Sequence, residues 1–440
     1  MDSIINVIGG GLAGSEAAFF LAEQGLKVKL WEMRPAHMTP VHRTPNMAEL
    51  VCSNSLKSDL PDTAQGLLKS EMRIMGSLLL HCAETARVPA GSALAVDRDL
   101  FSELVTRRLR EHSNITIINA EVTSFPADEI TVLATGPLTS DALSSVLKEY
   151  NGEENLHFYD AVAPSITEES LDKSIVFKAS RYGKGSDDYY NCPFDQEQYE
   201  KFYNCLLEAD INEGHPVDKK LFFSGCMPIE VMARRGKDTL RFGPMRPVGL
   251  KCADGSRAYA IVQLRQEDKD GRIYGLVGFQ TRLKWGDQDK VFRLIPGLGK
   301  AEFVRYGVMH RNTYLNSPRL LLPTLQLRTA PKIIFAGQVT GVEGYMESAA
   351  TGIFAGINAA RLARGDSPVQ LPAESMLGAL VNFITTADSK SFQPINANFG
   401  ILPPLADPVR DKKIRYSLYV KRALQVMTKF SELFMGQVVK

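Results

Sequence analysis

Two cysteines in this 440-residue chain have neighbours that could turn a thiol into a nucleophile. Cys52 lies in Glu49-Leu50-Val51-Cys52-Ser53-Asn54-Ser55-Leu56-Lys57-Ser58, a polar, hydroxyl-rich loop after an apolar strand pattern. Cys226 lies in Phe222-Phe223-Ser224-Gly225-Cys226-Met227-Pro228-Ile229-Glu230, where Gly225 and Pro228 mark an exposed turn. Arg234, Arg235, Lys237 and Arg241 follow closely. Such a run lowers the pKa of a nearby thiol, contacts nucleic-acid phosphate, or forms a merely solvated face. A cysteine also serves as a small buried apolar group, so residue types alone leave both thiols open between these roles. Cys82, Cys192, Cys205 and Cys252 have no comparable surroundings. The absence of a CxxC pair argues against zinc and against a disulfide framework, and for reduced thiols in a cytoplasmic protein.

The residues that could hold a cofactor follow a tighter pattern. Ile4 to Ile8 is an apolar strand, followed by Gly9-Gly10-Gly11-Leu12-Ala13-Gly14 and a small-residue helix from Ser15 to about Gln24. Gly9 permits the tight turn, Gly11 lets backbone N–H groups approach a pyrophosphate, and Gly14 lets the helix pack on the strand. Lys27 to Glu32 is the second strand, and Glu32 at its carboxyl end suits ribose hydroxyls while repelling a 2′-phosphate. Ile130 to Ala134 is another apolar strand, closing in Thr135-Gly136-Pro137, where the backbone can pass close to a cofactor. A distant strand, glycine loop and helix start recurs at Phe335-Ala336-Gly337-Gln338-Val339-Thr340-Gly341-Val342-Glu343-Gly344-Tyr345-Met346-Glu347. Gly337 and Gln338 fall where a flavin half would lie, and the helix start would favour electron density on a reduced ring. A single nicotinamide site needs no such second element, so the pair points to FAD.

These residues must be positioned by more than one unit. Strands alternate with helices over residues 1–180, the pattern of a doubly wound Rossmann-type sheet, and Glu121-Val122-Thr123 is read as prolonging the strand at Ile115 to Ile118. From 181 to 325 the texture becomes α+β, with short alternating runs such as Tyr259 to Leu264 and Ile273 to Phe279. The buried-strand pattern resumes over 326–440 and ends in helical segments around Leu377 to Thr385 and Ile414 to Met435. The expected architecture is an FAD-binding α/β domain in two parts with an inserted substrate or RNA domain. Composition is ordinary for a globular chain, with 44% hydrophobic and 23% charged residues. With 51 basic and 50 acidic residues the net charge of +1 favours no polyanion, so any RNA site must be a local surface. No basic residue precedes Lys27, so no signal peptide is expected, and no apolar run is long enough for a membrane span.

Four of these segments, Val7 to Ala18, Glu49 to Ser55, Ser224 to Glu230 and Gly337 to Tyr345, resemble the bacterial folate- and FAD-dependent tRNA (uracil-5-)-methyltransferases. The likeness extends to Pro394-Ile395-Asn396-Ala397-Asn398-Phe399-Gly400 and shows no departure at the motif positions. It implies FAD as cofactor, 5,10-methylenetetrahydrofolate as carbon donor, NADH or NADPH as reductant, and formation of 5-methyluridine in the T-loop of tRNA. It implies no metal, no membrane and no obligatory protein partner. It further implies catalytic roles for Cys226, as the thiolate adding to carbon 6 of uracil, and for Cys52, as base for the carbon 5 proton or guard of the intermediate. The two roles are exchangeable on sequence grounds. Rival readings are the same chemistry on ribosomal RNA and an NAD(P)H-dependent flavin oxidoreductase acting on a small molecule. A related wobble-uridine modification protein is a further rival, and the short C-terminal region speaks against it.

Overall fold

In the computed structural model the described residues are 4–39, 41–124, 128–151, 156–183, 186–212 and 227–434. A six-stranded sheet forms the centre of the first lobe. Its order is Gln326–Leu327, Ala330–Phe335, Thr131–Leu133, Ile5–Ile8, Val28–Glu32, Ile115–Asn119. Five strands run parallel and the edge strand Gln326–Leu327 is antiparallel. All four residues of Ile5–Ile8 are buried, as a parallel strand covered on both faces requires. Strands from the two ends of the chain therefore share one sheet: Ile333 to Phe335 pair with Thr131 to Leu133.

Helix Leu12–Glu23 packs along helix Tyr345–Ala363, and glycines set the separation. A Cβ at Gly352 would sit 2.1 Å from the Ala13 carbonyl oxygen, and one at Gly14 would sit 1.8 Å from that of Gly9. Neither position tolerates a side chain without movement of the backbone.

A second six-stranded sheet is antiparallel throughout, in the order Phe177–Lys178, Tyr189–Phe194, Ala260–Gln266, Ile273–Leu276, Ser165–Thr167, Phe303–Arg305. Tyr199, Phe202 and Leu206 of helix Gln196–Glu208 join Val291 and Phe292 in a separate core against it. This matches the α+β texture read from sequence, but the sheet's extent differs from the texture change near 181 and 325. Its strands begin at Ser165 and end at Arg305, while Leu156–Ala161 and Met309–Tyr314 pair antiparallel. Strands of two or three residues carry too little alternation to be read. Another difference concerns Glu121-Val122-Thr123, which is not a strand: Ile115–Asn119 ends first, and Glu121 and Val122 line a groove. A small antiparallel sheet of Ser55–Ser58, Ala93–Val96 and Arg87–Val88 adjoins the loop carrying Cys52.

Candidate active site

The carboxyl ends of the parallel strands open into a groove of about 1000 Å³. Gly9, Gly11, Leu12 and Ala13 form one wall, Gly136 another, and Gly337 and Gln338 meet them from the distant glycine loop. Gly9 has φ +102 and its Cβ would lie 2.5 Å from the Ala134 carbonyl oxygen, so the turn needs glycine there. Gly11 is the opposite case. A Cβ there meets nothing within 4 Å, and no side chain caps the helix that begins behind it. The first-turn N–H groups face an open wall, as an anionic pyrophosphate would require. Gly10 and Gly14 act from behind: the Gly10 N–H donates to Glu32 Oε2 at 2.9 Å, and Gly14 seats the helix.

Glu32 lines the groove and is nearly buried. Burial pushes its carboxyl up, but the Arg34 guanidinium and backbone N–H and the Gly10 N–H together hold it below its ordinary value. Arg34 Nε donates to Glu32 Oε1 at 2.9 Å and Nη1 to Glu49 Oε2 at 3.3 Å. Arg34 was not singled out by sequence, because its role depends on Glu49 folding back beside it. These donors leave an ionised Glu32 at the ribose end of the groove, and the arrangement fits FAD.

A second cavity of about 1350 Å³ shares Val51, Pro137, Gln338 and Tyr345 with the groove. Its walls come from both lobes: Cys52, Ser53 and Lys57 on one side, Arg265, Glu267, Gly275 and Gln280 on the other. Cys52 is half-buried, and its N–H donates to the Tyr345 hydroxyl at 2.8 Å, as does that of Ser53 at 3.1 Å. Gly344, with φ +122, starts the helix headed by Tyr345, whose N-terminus lies where the two cavities join. Glu347 closes the far wall, accepting from Lys57 Nζ at 3.4 Å and from the Ala397 N–H at 3.1 Å. By contrast Cys82 and Cys192 are buried, and burial pushes both thiols up, Cys82 to about 11. They serve as small apolar groups.

Cys226 lies outside the described residues. The chain is described again from Met227, and the Ile229 N–H donates to the carbonyl of Gln280, a wall residue of the Cys52 cavity. The basic run does not line either cavity. Lys237 pairs with Glu200 at 2.6 Å, and Arg241 pairs with Asp238 at 2.7 Å and stacks on Tyr259. Arg234 and Arg235 are exposed and have no acidic partner among the described residues.

Glycine turns from the two ends of the chain at the carboxyl edge of one sheet, an open helix start and an acidic second strand define a flavin-type dinucleotide-binding protein. The family model for glucose inhibited division protein A matches residues 4–367. A methylenetetrahydrofolate–tRNA-(uracil-5-)-methyltransferase TrmFO of Syntrophomonas wolfei is 63% identical over 97% of this chain and 98% of its own. The protein of that name from Moorella thermoacetica is 55% identical over 98% of this chain and 99% of its own. Among solved structures, GidA of Aquifex aeolicus superposes with a TM-score of 0.70 at 18% identity, covering 99% of this chain and 74% of that one. That likeness is one of fold. The chain belongs to the glucose inhibited division protein A family and, with its nearly full-length relatives, to the TrmFO group.

Proposed function

We propose that this protein transfers the one-carbon unit of 5,10-methylenetetrahydrofolate to carbon 5 of a T-loop uridine in tRNA. The observation that carries this is the identity of 63% and 55%, over nearly the whole chain, to enzymes named for that reaction. Two joined cavities support it, one shaped for a dinucleotide and one bearing a half-buried thiol. Gly9 to Gly14 and Glu32 hold the adenosine diphosphate half of FAD, and Gly136, Gly337 and Gln338 lie along the flavin half. Bound FAD, reduced by NADH or NADPH, would supply the two electrons that bring the transferred methylene to a methyl group, its carbon–nitrogen bond breaking and tetrahydrofolate leaving.

Carbon 5 of uracil becomes nucleophilic when a thiolate adds to carbon 6 and the displaced π electrons form an enolate. Cys226 is assigned that addition and Cys52 the removal of the carbon 5 proton, after which expulsion of the thiolate restores the ring double bond. Chain connectivity supports the pairing. Ile229, from the same sequence motif, is anchored on the wall of the Cys52 cavity. Arg234 and Arg235, exposed and without acidic partners among the described residues, are the RNA contacts retained from the basic run.

The test uses an unmodified tRNA transcript, carbon-14 methylenetetrahydrofolate and NADH or NADPH, with label counted in RNA. Label is expected in the T-loop uridine and absent for Cys226→Ala that retains its flavin. Normal flavin reduction without label in tRNA overturns the assignment; label appearing only in ribosomal RNA redirects it to that substrate.

A further inference from the structure

We propose that three arginines, Arg98, Arg265 and Arg305, hold Cys52 as a thiolate by bringing more positive charge to its loop than the neighbouring carboxylate neutralises. The inference rests on the reading of Cys52 as a reactive thiol. The three arrive from separate elements: helix Arg98–Glu111, strand Ala260–Gln266 and strand Phe303–Arg305. Two of them bracket the cysteine. Arg305 Nη2 donates to the Val51 carbonyl at 3.0 Å, while Arg265 Nη2 donates to Ser53 Oγ and Nε to Asn54 Oδ1, both at 2.8 Å. Arg98 pairs with Glu267, which also accepts from Ser165 Oγ at 2.7 Å.

The charges do not balance. Among the described residues, Glu267 is the one carboxylate acting on both Arg265 and Arg305, and it also pairs with Arg98. The other ionisable groups around the cavity are committed elsewhere. Glu347 holds Lys57, Glu343 accepts from Gln338 Nε2 at 2.6 Å, and Glu49 on the same loop serves Arg34. Burial pushes the Tyr345 phenol up, so this hydroxyl remains neutral and offers no countercharge. Arg43 adds a further cation near Arg305. Burial draws both guanidinium groups down, Arg305 to about 10, and an arginine keeps its proton at neutral pH. Arg305 is only 8% exposed, and its Nε and the Nη1 of Arg98 have no hydrogen-bond partner among the described residues. Buried excess cations are stabilised by an anion brought close to them, and the loop they grip carries a thiol. Arg265 interacts electrostatically with Cys52. These arginines are positioning residues, acting through the thiol.

The experiment measures alkylation of Cys52 by iodoacetamide in the FAD-loaded protein across pH, with the modified peptide quantified by mass. The wild-type midpoint is expected below the ordinary thiol value of about 8.5. Arg265→Gln should raise it by about one unit, Arg265→Lys should restore most of the difference, and Glu267→Gln should lower it further. Opposite displacement by two substitutions in one cluster is what charge predicts; a loosened loop would change reactivity without moving the two midpoints apart. An unmoved midpoint in Arg265→Gln, or displacement of both variants in one direction, overturns the inference. Should Arg265→Gln not fold, the Glu267→Gln displacement decides alone. Failure of the underlying reading is seen separately, as undiminished label transfer by Cys52→Ser.

Discussion

The nucleotide groove and the Cys52 cavity are neighbours sharing Val51, Pro137, Gln338 and Tyr345, yet they are built in opposite ways. One continuous segment from Ile8 to Glu32 supplies the groove with its turn, its helix start and its carboxylate. The cavity takes its walls from Val51 to Lys57, Arg265 to Gln280, Glu343 to Glu347 and Asn396. Their electrostatics differ as well: the groove carries a carboxylate stabilised by an arginine, whereas the cavity rests on guanidinium groups in excess of carboxylate. The turn, helix start and carboxylate of the groove are thus encoded locally, while the Cys52 cavity, like the Gly337 wall of the groove, is brought together from chain segments more than 200 residues apart.

The largest contrast is expected between two glycines of the first turn, Gly14 behind the groove and Gly11 on its wall. Gly14→Val must push against the Gly9 carbonyl, 1.8 Å from where its Cβ would stand, and misplaces the turn and helix together. Overpacking of this kind costs about 1–3 kcal/mol and often more, so loss of both flavin absorbance and several degrees of thermal stability is expected. Gly11→Glu has open space, so the apoprotein should keep its stability while a carboxylate blocks the pyrophosphate position and the flavin is lost. Flavin retained by Gly11→Glu would mean that the open wall is not where the cofactor's phosphates bind.

This contrast also explains what could be read in advance. The strand, turn, helix and acidic strand end from Ile5 to Glu32 obey local rules of period and glycine placement, so the groove residues were legible one by one. Gly337 and Gln338 were legible as a second glycine loop, although only the fold places them opposite Gly11. Arg34, Arg265, Glu267 and Arg305 were not, because an isolated charged residue gives no periodic or motif signal. Their meaning lies in partners such as Val51, Ser53 and Asn54, far off in sequence. The basic run from Arg234 to Arg241 was legible as charge, with Asp238 inside it, but Glu200, which neutralises Lys237, is brought to it only in three dimensions.

A smaller effect is expected where the two sites join. Tyr345→Phe removes the acceptor shared by the Cys52 and Ser53 N–H groups while leaving the helix start and the glycine loop unchanged. Leaving those donors without an acceptor costs about 1–3 kcal/mol locally. Flavin content should therefore stay normal, while label transfer falls and the Cys52 loop exchanges its amide hydrogens faster. If the loop's exchange is unchanged, Tyr345 is not what fixes it, and the arginines alone hold it in place.

The smallest effect lies in the pH dependence of stability, and it contrasts two buried carboxylates of the same strand–helix–strand unit. Glu32 faces Arg34 and is held low, whereas Glu16, fully buried against helix Leu78–Thr85, is pushed by burial up to about 7. The partners of Glu16 are neutral: the Ser77 hydroxyl and the N–H groups of Leu78 and Leu79 at 3.0 and 3.1 Å. An unfolded chain releases this proton near 4.5 and the folded one near 7, so its stabilising contribution is complete below 4.5 and fades as pH rises through 7. The contribution is about 3 kcal/mol. Glu16→Gln cannot titrate, so its denaturation midpoints at pH 5 and pH 7.5 should lie closer together than those of the wild type. Equal spacing in the two proteins would mean that Glu16 is ionised in the folded state at both pH values, its charge carried by the start of the helix it caps rather than suppressed by burial.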